Sequence, residues 1–331
     1  MIRLSIRFAG ALALVVLFLP VLQANAQQDV PPAPQQQEPA APAPAAAAPV
    51  LPTPDPAYFT ATSPTKEAVN AFLQASWGYD ENRIWEVWAI QKTEVDGISR
   101  VVVLVGDKTG KQKLMPIMFY VLPDGKHMFA NDDIMSFGAN PFAEARAIAQ
   151  QRADGPYRGS PSKDLEIVEF ADFQCPHCKD AQANMDKLAV DFPKARIVFQ
   201  TFPLESIHPQ AARSAAYGVC VTKQGGSDAF FTFASAVFDG QEGLATEDGA
   251  TLTLNSAVTK AGQDPTKIAQ CAATPATVAA VEGLVKLATD LNINQTPTLL
   301  INGRQILATF PYDTLKQIIL YQAKIDGVAV Q

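Results

Sequence analysis

Histidine is scarce in this sequence. His127, His177 and His208 are the only three, and cysteine is confined to Cys175, Cys178, Cys220 and Cys271. A structural zinc site draws four ligands mainly from these residue types. There is one Cys-x-x-Cys and no second one to complete such a set. Basic runs are also missing. The formal charge is −7, and loss of the first segment would remove Arg3 and Arg7 and make the remainder more acidic still. That balance argues against nucleic acid and anionic membrane surfaces as partners. The longest apolar stretch, Phe8 to Leu22, is short of the about 20 residues that a membrane span needs.

What is present falls into segments. Residues 1–26 carry Arg3 and Arg7, then the apolar stretch, then Ala24-Asn25-Ala26. This is the pattern of a secretory signal, with cleavage near Ala26, and it predicts a periplasmic or secreted protein. An uncleaved anchor is the alternative. No cysteine follows the apolar stretch, so a lipoprotein is not indicated. Export places the cysteines in an oxidising compartment, where disulfides persist. Residues 27–57 are rich in Pro, Ala and Gln, with little to bury, and read as a disordered tether.

Residues 58–139 read as a small α+β domain. A helix is expected over Thr65 to Trp77, with Ser63 as N-cap and Pro64 at its first position. Strand-like runs follow at Arg83 to Gln91, Ser99 to Gly106, Leu114 to Leu122 and His127 to Ala130, the last after the turn Pro123-Asp124-Gly125-Lys126. His127 reads as a surface strand residue. Trp85, Trp88, Met115, Met118 and Phe119 read first as core and second as a docking or dimer surface. Residues 140–156 supply a connecting helix, Phe142 to Gln151, with Asn140 as N-cap.

The chemistry centres on residues 157–331. Leu165 to Phe170 reads as a buried strand, and Met185, Leu188, Ala189 and Phe192 mark one face of a following helix. Between them stands Cys175-Pro176-His177-Cys178. Free amides and the dipole at a helix N-terminus favour a thiolate on the first cysteine. Pro176 suits the first turn. His177 can add charge or a donor beside the sulfur. Cys178, one turn in, becomes the resolving thiol. Half of a zinc site and a structural disulfide are the bland alternatives. A second strand, Arg196 to Phe202, should lie parallel to the first, because a helix joins them. Helices are expected over Pro209 to Val221, Phe230 to Val237, Ser256 to Ala261, Pro265 to Cys271 and Pro275 to Leu291. The last should bury Val278, Val281, Leu284, Val285 and Ala288. A tight hairpin at Asn302-Gly303 and a closing helix from Tyr312 complete the order. His208 reads as structural. Taken as part of a strand alone, Glu169 reads as an edge-strand surface residue.

The stretch Glu169 to Cys178, together with Ile207-His208-Pro209-Gln210-Ala211-Ala212 and Thr296-Pro297-Thr298-Leu299-Leu300-Ile301-Asn302-Gly303, resembles the DsbA-like branch of the thioredoxin superfamily over about residues 157–325. The resemblance implies an α/β, thioredoxin-like fold with a helical insertion. It implies Cys175 as attacking and Cys178 as resolving cysteine, Pro297 as a cis proline facing them, and Glu169 as a buried acid beneath them. A cis bond there exposes the Thr296 backbone at a sheet edge, where an extended peptide can pair. It also implies a structural disulfide between Cys220 and Cys271, two buried free cysteines being the alternative. Thr296 resembles the residue found in disulfide isomerases and reductases. Tyr120 to Phe129 is similar to the terminal hairpin of the dimerisation domains of periplasmic disulfide isomerases. The expected activity is thiol:disulfide exchange on exported proteins, with a membrane redox partner for recycling and neither metal nor organic cofactor. The alternatives are a dimeric isomerase or reductase, joined through the N-terminal domain, and a binding module or chaperone whose redox pair is vestigial.

Overall fold

The computed structural model describes residues 51–110, 113–131 and 133–330. The expected signal, and all of the tether before residue 51, lie outside the described residues.

Helix α1 spans Lys66–Trp77. Its N-cap is Thr65, whose Oγ1 accepts from the Ala68 amide at 3.2 Å. The expected cap, Ser63, does not serve, and Pro64 is not the first helical residue, because the helix begins at Lys66 behind Thr65. Val69, Phe72 and Leu73 are buried, as i, i+3, i+4 spacing requires of one helix face. They pack on an antiparallel sheet, β1 (Arg83–Lys92), β2 (Ser99–Asp107), β3 (Met115–Val121), β4 (His127–Ala130) and β5 (Asp133–Ser136), hydrogen-bonded in that order. The fifth strand was not expected. In β2 the side chains alternate, with Ser99, Val101 and Val103 buried. A bulge between Val87 and Ala89 resets the register of β1 against β2. His127 sits at the start of β4, half-buried, with Nδ1 2.5 Å from Asp124 Oδ2.

Helix α2 (Ala143–Arg152) starts after Phe142, with no side-chain cap, so Asn140 does not cap it. A second sheet follows. Its strands in chain order are β6 (Tyr157–Gly159), β7 (Glu166–Ala171), β8 (Arg196–Thr201), β9 (Thr298–Ile301) and β10 (Arg304–Leu307), and their spatial order is β10-β9-β7-β8-β6. β7 and β8 are parallel, joined by α3 (Pro176–Asp191), as a strand-helix-strand unit requires. The short edge strand β6, antiparallel to β8, was not expected.

Between β8 and β9 lie α4 (Ala211–Asp239), α5 (Glu247–Lys260), α6 (Pro265–Ala272) and α7 (Pro275–Asp290), and α8 (Tyr312–Ile325) closes the chain. This is a thioredoxin-like fold with a helical insertion, preceded by a helix-on-sheet unit. The two helices expected over 209–237 are one run, broken at Gly226, where φ is 73°. On α7 the buried face is Thr277, Val281, Leu287 and Ala288, while Val278 is exposed and Leu284 and Val285 are half-buried. The expected stripe is therefore rotated.

Every residue of β7 and β8 is buried, because both faces of the second sheet are covered. On one face Ile167, Ile197, Leu299 and Ile301 meet Met185 and Leu188 of α3 and Leu315 and Ile318 of α8. On the other, Val168, Phe170 and Leu300 meet α2 and α7. Phe173, Phe199, Phe230, Phe233 and Phe238 anchor a further core between the sheet and the insertion. Each such ring contributes on the order of 2–3 kcal/mol by burial.

Between β9 and β10 the turn is Asn302-Gly303, with φ of 45° and 90°. Both central residues have positive φ, which matches the twist of a two-residue hairpin. A side chain at Gly303 would collide with the Phe142 carbonyl oxygen and the Arg146 amide. The hairpin thus fits against the start of α2 only because glycine stands there.

Candidate active site at the turn between β7 and α3

Buried β7 ends in Ala171, and the chain turns through Asp172, Phe173 and Gln174 into Cys175, the N-cap of α3. Pro176 occupies the first turn, where a missing N–H costs nothing. Phe173 is fully buried among the aromatic rings, so it holds the turn down on the core. Both sulfurs stand as free thiols here, Cys175 at 6% exposure and Cys178 fully buried.

The two thiols differ sharply. The Cys178 thiol, donating to Cys175, does most to bring the Cys175 pKa from 9.0 down to about 5, against a partial desolvation penalty. The Thr296 hydroxyl and the amides of Cys178 and His177 also lower it. Burial, in turn, pushes the Cys178 thiol strongly up. At neutral pH Cys175 is therefore a thiolate and Cys178 a thiol, the arrangement of a nucleophile and its resolving partner.

His177 contributes less than its sequence position promised. Its ring projects into solvent, 3.8 Å from Asp180 Oδ2. Its amide, not its ring, adds the smallest of the contributions that lower the Cys175 pKa.

Thr296–Pro297 is cis, and Thr296 O lies 3.7 Å from Cys175 Sγ. The loop before β9 thus comes to rest beside the redox turn. Glu169 sits in β7, the middle strand of its sheet, with 1% exposure, so it is a buried acid and not an edge-strand surface residue. It points to the α3 side, where Gln182 Nε2 donates to Glu169 Oε1 at 2.8 Å and to the Cys178 carbonyl at 3.1 Å. Burial raises the Glu169 pKa from 4.5 to about 7, with the Gln182 bond opposing. Glu169 is thus able to hold or release a proton near neutral pH.

Cys220 on α4 and Cys271 on α6 form a disulfide, well away in sequence from the redox turn. Thr277 Oγ1 lies 3.5 Å from Cys220 Sγ. Among the described residues no group of three or more His, Cys, Asp or Glu side chains is arranged as metal ligands would be.

Several residues around the turn escaped sequence reasoning. Gln241 Nε2 donates to both the Phe173 and Cys175 carbonyls at 2.9 Å. Gln174 spans to the insertion, donating to Leu244 O at 3.0 Å and accepting from Gln210 N at 2.8 Å. Asp172 is fully buried and His208 reaches it. An acid inside an otherwise apolar strand-end motif was the available signal for Asp172. No local pattern announces a glutamine nearly seventy positions away.

A profile described as thioredoxin matches residues 151–320, more than half of the chain. The chain belongs to the thioredoxin family. Among solved structures, a linker-deletion variant of Proteus mirabilis ScsC is 18% identical, covering 55% of this chain and 82% of that one with a TM-score of 0.46. A thioredoxin-like oxidoreductase from Silicibacter pomeroyi is 24% identical, covering 54% and 98%, at 0.46. Oxidised BdbD from Bacillus subtilis is 23% identical, covering 51% and 93%, at 0.47. Among curated proteins, the Na(+)/H(+) antiporter NhaA 3 of Salinispora tropica is 35% identical over 68 residues, and NhaA 1 of Mycolicibacterium vanbaalenii is 30% identical over 153. Those matches cover 20% and 44% of this thioredoxin-family chain but only 10% and 23% of the antiporters.

Proposed function

We propose that this thioredoxin-family protein is an exported, periplasmic or secreted thiol:disulfide oxidoreductase that forms disulfides in exported proteins. The observation that carries the reading is the inequality of the pair. Cys175 is a low-pKa thiolate at a helix N-terminus, and Cys178 is a buried thiol donating to it, beside a cis-proline loop. A substrate thiolate attacks Cys175 of the oxidised pair, the Cys175–Cys178 bond breaks, and a mixed disulfide forms. A second substrate thiolate then attacks the substrate sulfur of that bond and releases reduced protein. Stabilising the Cys175 thiolate favours the reduced state and so makes the oxidised pair a stronger oxidant. The Thr296 backbone beside Cys175 offers an extended substrate peptide a place to pair. A membrane partner would restore the disulfide.

The second reading is a dimeric isomerase or reductase, in which reduced Cys175 attacks substrate disulfides. Two observations favour it: Thr296 before the cis proline, and exposed Met118, Phe129 and Ile134 on the first sheet.

The test is the equilibrium reduction potential of Cys175–Cys178 against glutathione, followed by mass spectrometry separately from Cys220–Cys271. A value near about −120 mV is expected for an oxidant, and one near about −270 mV would move the assignment to a reductase. Cys175→Ser should lower exchange with a reduced, unfolded substrate at least about a thousandfold. A pair that never exchanges with glutathione would end the redox reading and leave a binding module.

A further inference from the structure

Asp172 is engaged at every polar atom. Its carboxylate is fully buried, three residues before Cys175. Oδ1 accepts from the Gln174 amide at 2.7 Å, and Oδ2 accepts from the Leu204 amide at 2.8 Å. His208 Nδ1 lies 2.8 Å from the same Oδ2, with the ring largely covered. The Asp172 carbonyl accepts from the Cys175 amide at 3.1 Å. Its own amide points at Cys178 Sγ, 3.4 Å away. Leu204 and His208 belong to the connection between β8 and α4, so the side chain ties the redox turn to a second segment and fixes the tilt of its peptide.

We propose that Asp172 and His208 are a positioning pair that aims the Asp172 amide at the Cys178 sulfur, stabilising Cys178 when it carries negative charge during disulfide exchange. The inference rests on the exchange activity proposed above. When a substrate thiolate attacks oxidised Cys175, the bond between Cys175 Sγ and the substrate sulfur forms and the Cys175–Cys178 bond breaks. The electron pair leaves on Cys178 Sγ, in an interior that otherwise disfavours the charge. The substrate thiol has given its proton to solvent, and Cys178 takes up an equivalent one afterwards. In the reverse direction Cys178 loses that proton, attacks Cys175 and expels the substrate thiolate. The same amide faces the same charge both ways, so both rates depend on it.

Such a bond to a charged group is worth about a factor of ten in rate. His208→Phe keeps a ring but removes the donor. Asp172→Asn keeps the shape but weakens two of the three bonds. His208→Asn restores a donor near the position of Nδ1. Full-length protein, oxidised, is mixed with reduced glutathione, quenched in acid, and the Cys175–glutathione adduct is followed by mass spectrometry. Formation and closure of the adduct should both slow about tenfold in His208→Phe and Asp172→Asn. His208→Asn should recover most of the loss. The Cys175 thiolate titration, read by absorbance at 240 nm, should keep its midpoint in all three. A merely structural role would instead move the titration and the rates together, and His208→Asn would rescue neither. Wild-type rates in a folded His208→Phe overturn the proposal while leaving the exchange activity standing. Wild-type protein that forms no adduct overturns both. Should Asp172→Asn fail to fold, the two His208 variants decide alone.

Discussion

The two sheets are built from the same number of strands and are covered differently. The first has α1 against one face, and its other face leaves Met118 at 50% and Ile134 at 55% exposure. The second is enclosed between helices on both faces, and none of the residues of β7 or β8 reaches solvent appreciably. Only the enclosed sheet can raise the pKa of an acid by burial, and Glu169 stands there. In the enclosed sheet β7 runs into the N-terminus of α3, and the redox turn grows out of that junction. The open sheet offers a surface rather than a site. Chemistry and exposure are thus divided between the two regions.

The helical insertion that encloses the redox turn carries the Cys220–Cys271 bond, which closes a loop with a sequence separation of 51. A cross-link over such a loop is worth about 4 kcal/mol through the unfolded chain. Cys220→Ala/Cys271→Ala should therefore lower stability by about that much. Melting followed by near- and far-ultraviolet circular dichroism measures the loss. A loss shared by the first sheet would mean that the two regions unfold as one unit.

Arg304 bears on that question directly. It belongs to β10 of the second sheet, yet its guanidinium donates to the carbonyls of Ala75 and Ser76 at the end of α1. Its Nε donates to Gln322 Oε1 at 2.9 Å, and the Phe142 ring lies 4.2 Å from its Cζ. Burial lowers its pKa to about 10, which leaves it charged at neutral pH. Arg304→Met strips partners from two carbonyls and a buried amide, at a cost of about 3 kcal/mol. A single melting transition in the wild type should become two in the variant. One unshifted transition would show that the cation does not join the regions.

Glu169 tests the enclosure itself. Its folded pKa of about 7 lies above the ordinary 4.5. Between those values the folded protein keeps a proton that the unfolded chain has released. Stability must therefore be full below about pH 4.5 and fall as pH rises through about 7, by up to about 3 kcal/mol. Glu169→Gln should remove that slope and be the more stable protein above pH 7, read from urea unfolding at stepped pH. It should also slow disulfide exchange, since the proton is lost with the charge. A variant with the wild-type slope would mean that Glu169 is not enclosed as described.

The sequence was most legible where local rules decide. The apolar run ending in Cys-x-x-Cys, the β7-α3-β8 unit and the Asn302-Gly303 hairpin all follow from neighbours in the chain. Helix starts were less legible. Ser63 precedes a proline and looks like a cap, but the helix starts two residues later and Thr65 does the work. Glu169 shows what a strand pattern cannot supply, because its burial depends on β8 and β9 lying on either side. Asp172, His208 and Gln241 converge from separate segments, and only the folded chain brings them to one turn. His177 shows the opposite error. Adjacency to Cys175 suggested a ring beside the sulfur, whereas the helix points that ring outward.

The smallest effect belongs to the open sheet. Met118, Phe129 and Ile134 lie on strands β3, β4 and β5 and are at least 40% exposed. Exposed side chains touch little, so replacing them changes stability by about 0.5 kcal/mol or less. Met118→Ser/Phe129→Ser should accordingly fold and melt as the wild type does, and Cys175 should keep its alkylation profile against pH. Any other consequence must then come from contact with another molecule, since the fold and the redox turn are unchanged. Light scattering of wild type and variant separates the cases. A wild-type dimer that the variant abolishes would join the open sheet to the isomerase-like arrangement. Identical monomers would leave the oxidase reading as the simpler one. A large loss of stability would instead show that this face is packed, and the contrast between the two sheets would fall.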